Sequence, residues 1–414
     1  MDRRKFIGAS GAGLTGLILP THSGAASRPS TGKSPDVIVV GAGVFGLWTA
    51  YKLLGKGLSV LLLDAYGAGN TIGSSGGHTR AIQADADVST YVRSVLECYP
   101  QWQELERTSY SRLLYSVGRL IVGTKESDRQ RILRRNQVLL KFGITDTEML
   151  GAAEMKHRWP QMRTDDMLYG LYHSGGPAGS ALRADRACQV LGKACELRGA
   201  QIKIGHVEPK LARGRVASVR LQETGETFRA PKYVFACGPW MPTLFPEVFQ
   251  ERTRLEPRVV YFYRLPDGDA SLAFPNIPNW SFPENGIYGF PSIENEGFKV
   301  APGYAPDSVP DIEKAARDFT YDRFPSLTGM PVVRVRGCQF TRSIDYAFII
   351  DRHPTLANTF LVGADSGQGF KHGPMVGEHA ANMVAGDPLD PEYAALFRIN
   401  DKKFPAEPGQ RQHL

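Results

Sequence analysis

Asp36-Val-Ile-Val-Val-Gly-Ala-Gly-Val-Phe-Gly46, running on into Leu47-Trp-Thr-Ala-Tyr-Lys-Leu-Leu54, is an apolar run that empties into glycines. Val37 to Val40 read as a buried parallel strand. Gly41 permits a tight turn, Gly43 lets backbone approach a pyrophosphate, and Gly46 lets the next helix close on the sheet. A phosphate then sits on the N-terminus of that helix, beside Val44 and Phe45. The helix gives way at Gly55-Lys-Gly57 to a second apolar strand, Leu58 to Leu63, which ends in Asp64. An acid there is placed to accept the hydroxyls of an adenosine ribose. The expectation is a dinucleotide site, with a purely structural glycine turn as the alternative.

Upstream, residues 1–28 run from Arg3-Arg4-Lys5 through a glycine-rich, mildly apolar middle to Ala25-Ala26-Ser27. That order is the order of an export signal, and the paired arginines resemble a twin-arginine type. The apolar stretch is too short to span a bilayer, so no stable membrane insertion is expected, only export to the periplasm or beyond. Residues 29–35 read as a linker rich in Ser, Pro and Gly.

The 414 residues, less that leader, suggest two domains. A formal charge of +7, scattered along the chain, excludes a nucleic-acid footprint and mildly favours anionic partners. Cys98, Cys188, Cys195, Cys237 and Cys338 are too far apart for a disulfide scaffold or a metal cluster, and no metal is expected. Cys188 and Cys237 are most simply core residues.

Downstream of Asp64-Ala65, a loop carries Ser74, Ser75, Thr79 and Arg80 from the nucleotide edge, able to lay donors beside a cofactor. Helical pattern resumes from Thr90 to Leu105; two short strands surround Gly118; Ser127–Lys141 and Asp146–Trp159 read as helices. Gly170–Gly179 is strand and turn, Ala181–Arg198 helix, and Gln201–Ile204 strand, with Val207 just beyond. After a hairpin at residues 215–229, Tyr233 to Cys237 is a buried strand running into Gly238-Pro-Trp240. Residues 256–265, 281–288, 297–301 and 332–339 alternate as antiparallel strands, with a helix at 308–324. The chain then returns through two strands to Gly363-Ala-Asp365-Ser-Gly-Gln368-Gly-Phe-Lys371, a second glycine-rich turn feeding a helix. The fold expected is α/β: a discontinuous Rossmann-like nucleotide domain (36–114, 176–250 and 345–399), then a tail at 400–414. An inserted antiparallel-sheet α+β substrate domain occupies 115–175 and 251–344.

Together these motifs resemble the glycine/D-amino-acid oxidase superfamily of FAD enzymes and, within it, the monomeric sarcosine oxidase group. The likeness runs from Val37 to about Ile399 through Gly41-Ala-Gly-Val-Phe-Gly46, Gly77-His-Thr79-Arg80, Arg158-Trp-Pro, Tyr288-Gly-Phe-Pro, Gly297-Phe-Lys299, Gly337-Cys338-Gln-Phe-Thr341 and Ser366-Gly-Gln-Gly-Phe-Lys371. The resemblance implies an FAD held by Asp64 and Ala65 at the ribose, Val207 at the adenine, Thr79 and Arg80 beside ring and phosphates. Ser74, Ser75, Cys237, Gly238, Trp240, Gly367, Gly369 and Phe370 complete the expected cofactor set. Cys338 matches the cysteine that attaches FAD covalently, its thiolate favoured by Arg336 or another basic neighbour. Lys299 matches a lysine that promotes reaction with oxygen, Tyr288 an aromatic on the substrate side, and Lys371 half of a carboxylate clamp.

The clamp's other half, an arginine in the family, falls on Gln83, which donates hydrogen bonds but carries no charge. Simple sarcosine should therefore bind less well unless Lys371, Arg80 or His372 compensates. Other departures are Phe340 for a tyrosine, Gln368 for a histidine, Asp365 for an aromatic, and no histidine in Val300-Ala-Pro-Gly-Tyr304. Asp365 either pairs with a cationic amine or caps its turn. The activity implied is oxidation of a C–N bond in a secondary amine or N-methyl or imino amino acid, with oxygen as acceptor, by a monomer. A flavin dehydrogenase with another acceptor and a secreted, non-catalytic flavin-binding protein are the alternatives.

Overall fold

Val37–Val40 (β1) forms the centre of a sheet because its β-branched side chains are buried on both faces. Val37 and Val39 enter one core, and Ile38 and Val40 the other, as a period of two requires. The computed structural model describes residues 34–84, 88–303 and 311–405. The export signal with Arg3 and Arg4, residues 29–33 of the linker, Tyr304 and residues 406–414 lie outside them.

The described chain continues through α1 (Val44–Gly55), β2 (Val60–Asp64), β3 (Thr79–Ile82), α2 (Ser89–Ser109), β4 (Leu114–Ser116), β5 (Arg119–Gly123) and α3 (Glu126–Lys141). Then follow β6 (Thr147–Gly151), α4 (Ala152–Arg158), β7 (Tyr169–His173), β8 (Ser180–Arg183), α5 (Ala184–Leu197), β9 (Gln201–Ile204), β10 (Val207–Ala212), β11 (Arg215–Leu221), β12 (Thr227–Phe228) and β13 (Lys232–Phe235). The remainder is α6 (Met241–Leu244), α7 (Pro246–Phe249), β14 (Thr253–Tyr263), β15 (Asn279–Phe282), β16 (Ile287–Phe290), β17 (Phe298–Pro302), α8 (Ile312–Arg323), β18 (Val332–Ser343), β19 (Ile349–Arg352), β20 (Thr359–Gly363), α9 (Gly373–Ala385) and α10 (Pro391–Phe397).

The nucleotide sheet has the order β19-β20-β13-β1-β2-β9, parallel except at β19. Helices α1, α2, α5 and α9 bury one face, and the hairpin sheet β10-β11-β12 with α6 and α7 buries the other. Gly46 is obligatory: a Cβ there would stand 3.0 Å from the Gly41 carbonyl carbon and closer still to its oxygen.

The two excursions meet in one eight-stranded sheet, β18-β14-β17-β16-β15-β5-β7-β6. It is not purely antiparallel as expected: β5, from the first excursion, pairs parallel with β15, from the second. Inside it, Trp280 stacks on Phe298 and packs beside Phe324, fixing α8 beneath the strands.

Local departures have local causes. Residues 281–288 are two strands, because Pro283 lacks an amide donor and Gly286 turns with φ of 62°. Thr147–Gly151, expected as helix, is the edge strand β6, paired antiparallel with β7, and the helical run begins only after Gly151, at Ala152. Ser180–Arg183 is strand, not helix, and pairs with Thr79 and Arg80, which therefore lie on β3 and not in a loop. Among the described residues no helix is long and apolar enough to cross a membrane.

Candidate active site

A trough of two cavities runs along the carboxyl ends of the nucleotide strands, where open α/β sheets bind ligands. The first, about 350 Å³, is floored by Gly41, Gly43, Val44 and Phe45 at the start of α1. Asp64 and Ala65 end its second strand; Ser74 and Ser75 come from the loop, Val207 from β10, and Cys237, Gly238 and Trp240 follow β13. Gly46 does not line it and acts by letting α1 pack close to the Gly41 turn.

Asp64 Oδ2 accepts the Ala42 amide at 2.6 Å, and Oδ1 accepts the Tyr66 and Gly67 amides at 2.7 Å. A carboxylate has about four acceptor sites, so one remains for a hydroxyl. Ser75 Oγ accepts the Val44 amide at 2.9 Å, capping α1 from a distant loop. Burial pushes the Cys237 thiol up to about 12, so this cysteine is an inert wall and not fully enclosed core as expected. Tyr66, His206 and Gln222 also line this cavity and were missed. Only Tyr66, next to Asp64-Ala65, had a nearby signal.

The second cavity, about 440 Å³, shares Val44, Ser74, Ser75 and Asp365 with the first. Its roof is the eight-stranded sheet. Tyr288, Lys299 and Cys338 line it from β16, β17 and β18, with Phe340 beside Gly367. Thr79, Arg80 and Gln83 enter along β3, and Gln368, Gly369, Phe370 and Lys371 from the late loop. The sequence places these residues up to 292 positions apart, from Thr79 to Lys371, yet all meet here.

Lys299 is 5% exposed; its Nζ donates to Thr79 O at 3.0 Å and Oγ1 at 3.3 Å and lies 4.7 Å from the Phe290 ring centre. Burial, then the neighbouring Arg80, holds its proton affinity well below the usual lysine range. Arg336 faces the same cavity and is lowered in the same way, first by burial and then by Arg80. It therefore stands on the same side as Cys338, as alternation along β18 dictates. Directly across the ladder from Cys338 is Arg258, bonded to Glu256 and 5.2 Å from the Phe340 ring centre.

Two expected compensators for Gln83 are elsewhere engaged. Arg80 gives its guanidinium to the carbonyls of Ser74 and Gly76 at 2.7 Å and of Thr79 at 3.0 Å. His372 is fully buried in the helical core, its Nδ1 2.9 Å from Ser94 Oγ, and burial drives it well below the usual histidine range. Asp365 is held in a strained turn between Ala364 (φ 55°) and Ser366 (φ 49°). Burial raises its carboxyl to about 7, against the opposing pull of Arg80 and the backbone amides of Gly367, Thr341 and Asp365 itself. Arg119, Arg135, Arg258 and Ser281 also line this cavity. They were missed because they sit in strands and a helix whose pattern explains them as ordinary surface or core.

The trough fits a two-ended cofactor: an acid-lined pocket at one end, helix amides in the middle, and a wider chamber at the other. A discontinuous dinucleotide fold roofed by an inserted mixed sheet is the architecture of a flavin oxidoreductase. Residues 36–383 match the FAD dependent oxidoreductase family, and the chain belongs to that family and is an enzyme of its kind. It is 30% identical to human peroxisomal sarcosine oxidase over 90% of this chain and 96% of that one. The fold matches fructosyl peptide oxidase from E. terrenum with a TM-score of 0.79 at 22% identity, covering 89% and 93% of the two chains. It also matches L-proline dehydrogenase from P. horikoshii with a TM-score of 0.73 at 16% identity, covering 86% and 95%. At those identities the two structures speak for the fold alone.

Proposed function

We propose that this enzyme oxidises the C–N bond of a secondary amine, in an N-methyl or imino amino acid, to an imine that water hydrolyses to amine and carbonyl compound, with H2O2 as co-product. The observation that carries this reading is the buried Lys299 ammonium, fixed on Thr79 in the chamber shared with Cys338 and Lys371. Bound FAD supplies the chemistry of taking a hydride equivalent from the amine carbon and delivering the electrons to oxygen.

The side chains do the rest. Lys371 binds the substrate carboxylate as a point charge, and Gln83 adds hydrogen bonds but no charge. Tyr288 and Phe290 shape the apolar wall and exclude water. Lys299, with its proton affinity depressed, holds its proton most firmly when negative charge enters the chamber, which is when a cation assists oxygen reduction. Cys338, on the chamber wall, would hold FAD covalently through its sulfur. Arg3 and Arg4 support export of the already folded monomer, outside the cytoplasm.

Sarcosine oxidase relatives favour oxygen as acceptor; the alternative reading is a dehydrogenase, in which another acceptor takes the electrons. Anaerobic mixing with N-methyl and cyclic imino acids should bleach the yellow protein, and air should restore it while releasing peroxide. Bleaching without rapid restoration by air selects the dehydrogenase; no bleaching by any amine rejects the reading. Acid precipitation should leave the colour in the pellet for the wild type and in the supernatant for Cys338→Ser, and colour washing out of the wild type rejects the covalent bond.

A further inference from the structure

Across the roof, the chamber-lining side chains follow strand order: Cys338 and Arg336 on β18, Arg258 on β14, Lys299 on β17, then Ser281 on β15 and Arg119 on β5. Neighbouring strands lie about 4.8 Å apart, so the β5 backbone stands roughly 14 Å across the sheet from that of β17, on the side away from Cys338. Arg119 is 6% exposed, and a guanidinium nitrogen is 3.4 Å from the hydroxyl of Ser281, itself 7% exposed. Arg135 comes to the same end from α3, which packs on β5 through Ile132 and Ile121. A guanidinium has five donors and serves more than one acceptor.

An amino acid's carboxylate is one bond from the carbon that bears its nitrogen. A substrate with a single carboxylate at Lys371 therefore leaves the β5 end of the chamber untouched. We propose that the substrate carries a second anionic group, a side-chain carboxylate or its equivalent, bound by Arg119, Arg135 and Ser281. The preferred substrates are then secondary amines built on acidic amino acids or dicarboxylates. This rests on the C–N oxidation reading and names its substrate class. Charge in the chamber agrees with it: burial first, and then the neighbouring Arg80, depress the proton affinities of Lys299 and Arg336, which face the same space as Arg119 and Arg135. Asp365, the one acid among the described lining residues, is itself drawn toward neutrality. An entering dianion relieves that repulsion, and the absent charge at Gln83 moves the demand for it outward.

The test compares near-isosteric pairs on the flavin-loaded enzyme: N-methyl-glutamate against N-methyl-glutamine, and N-methyl-aspartate against N-methyl-asparagine, by anaerobic flavin reduction. The acidic member should react at least tenfold faster per unit concentration, the scale of one charge-assisted contact. Arg119→Gln should shrink that ratio toward one, and Arg119→Lys should keep part of it. Equal rates within the pairs, or an unchanged ratio in Arg119→Gln, overturn the proposal. If Arg119→Gln fails to fold, titration of the wild type with glutarate and butyrate decides, read by perturbation of flavin absorbance. Glutarate should bind at least tenfold more tightly; equal binding overturns the proposal. If no amine reduces the flavin, the C–N reading fails, while the same titration still tests the anion site.

Discussion

The two ends of the trough are built from different material. The Asp64 end is made largely of backbone, supplied by turns that close on the ends of β1, β2 and β13, with Asp64 there and Asp365 shared with the other end. The chamber at the other end is lined by side chains, among them seven arginines and lysines brought from β3, β5, β14, β17, β18, α3 and the late loop. A backbone-built site tolerates no change in the path of the chain, whereas a side-chain-built site tolerates exchange and so sets chemistry and specificity. Graded substitutions at the two ends should separate those behaviours.

The largest loss is expected at the backbone end. Gly46→Ala drives a methyl group into the Gly41 carbonyl, where neither partner can move without breaking the turn. The variant should lose about 4 kcal/mol or more and purify without flavin. At the chamber end, Gly367→Ala meets only the Phe340 ring edge at 2.9 Å and a φ of 71°. A loss of about 1–2 kcal/mol with flavin retained is expected there. Thermal melts with flavin absorbance on both variants check this, and equal losses would erase the contrast.

Next in size is Lys299→Met. Reoxidation of the reduced enzyme by oxygen should slow by about 10²-fold, with substrate reduction changed far less, because the lost cation acts where charge develops. Stopped-flow measurement of the two half-reactions checks it, and equal slowing of both would reduce Lys299 to a packing residue.

The same contrast explains what the sequence disclosed. Glycine spacing, β-branched runs and the acid closing β2 report backbone geometry directly, so the backbone-built end was legible around Gly41, Gly43 and Asp64. Lys299, Cys338 and Lys371 were legible only through family resemblance, since a strand lysine, a lone cysteine and a loop lysine carry no signal of convergence. Arg119 shows the limit most clearly. Its neighbours Gly118 and Leu120 mark a strand, but that β5 pairs parallel with β15, putting Arg119 beside Ser281, depends on contacts between segments 160 residues apart, from Gly118 and Arg119 to Asn279. His372 fails in the opposite way: adjacent to Lys371 in sequence, it turns into the core, because the short helical turn at Gly369–His372 sends consecutive side chains to different faces.

Asp365 belongs to both ends, and its expected effect is the smallest. Its carboxyl is raised to about 7 in the folded chain, from about 3.9 in an unfolded one, so folding favours the protonated form. The stabilisation is complete below the unfolded value and is lost as pH climbs through about 7. The side chain is only half-buried, which limits the loss to on the order of 1–2 kcal/mol. Asn presents similar bulk without titrating. Asp365→Asn in the flavin-loaded enzyme should therefore gain on the wild type between pH 5 and pH 8, by a few degrees in Tm. A Tm difference that stays constant across that range would mean that the three backbone amides hold Asp365 ionised throughout, leaving it a turn cap with no share in the chamber's charge.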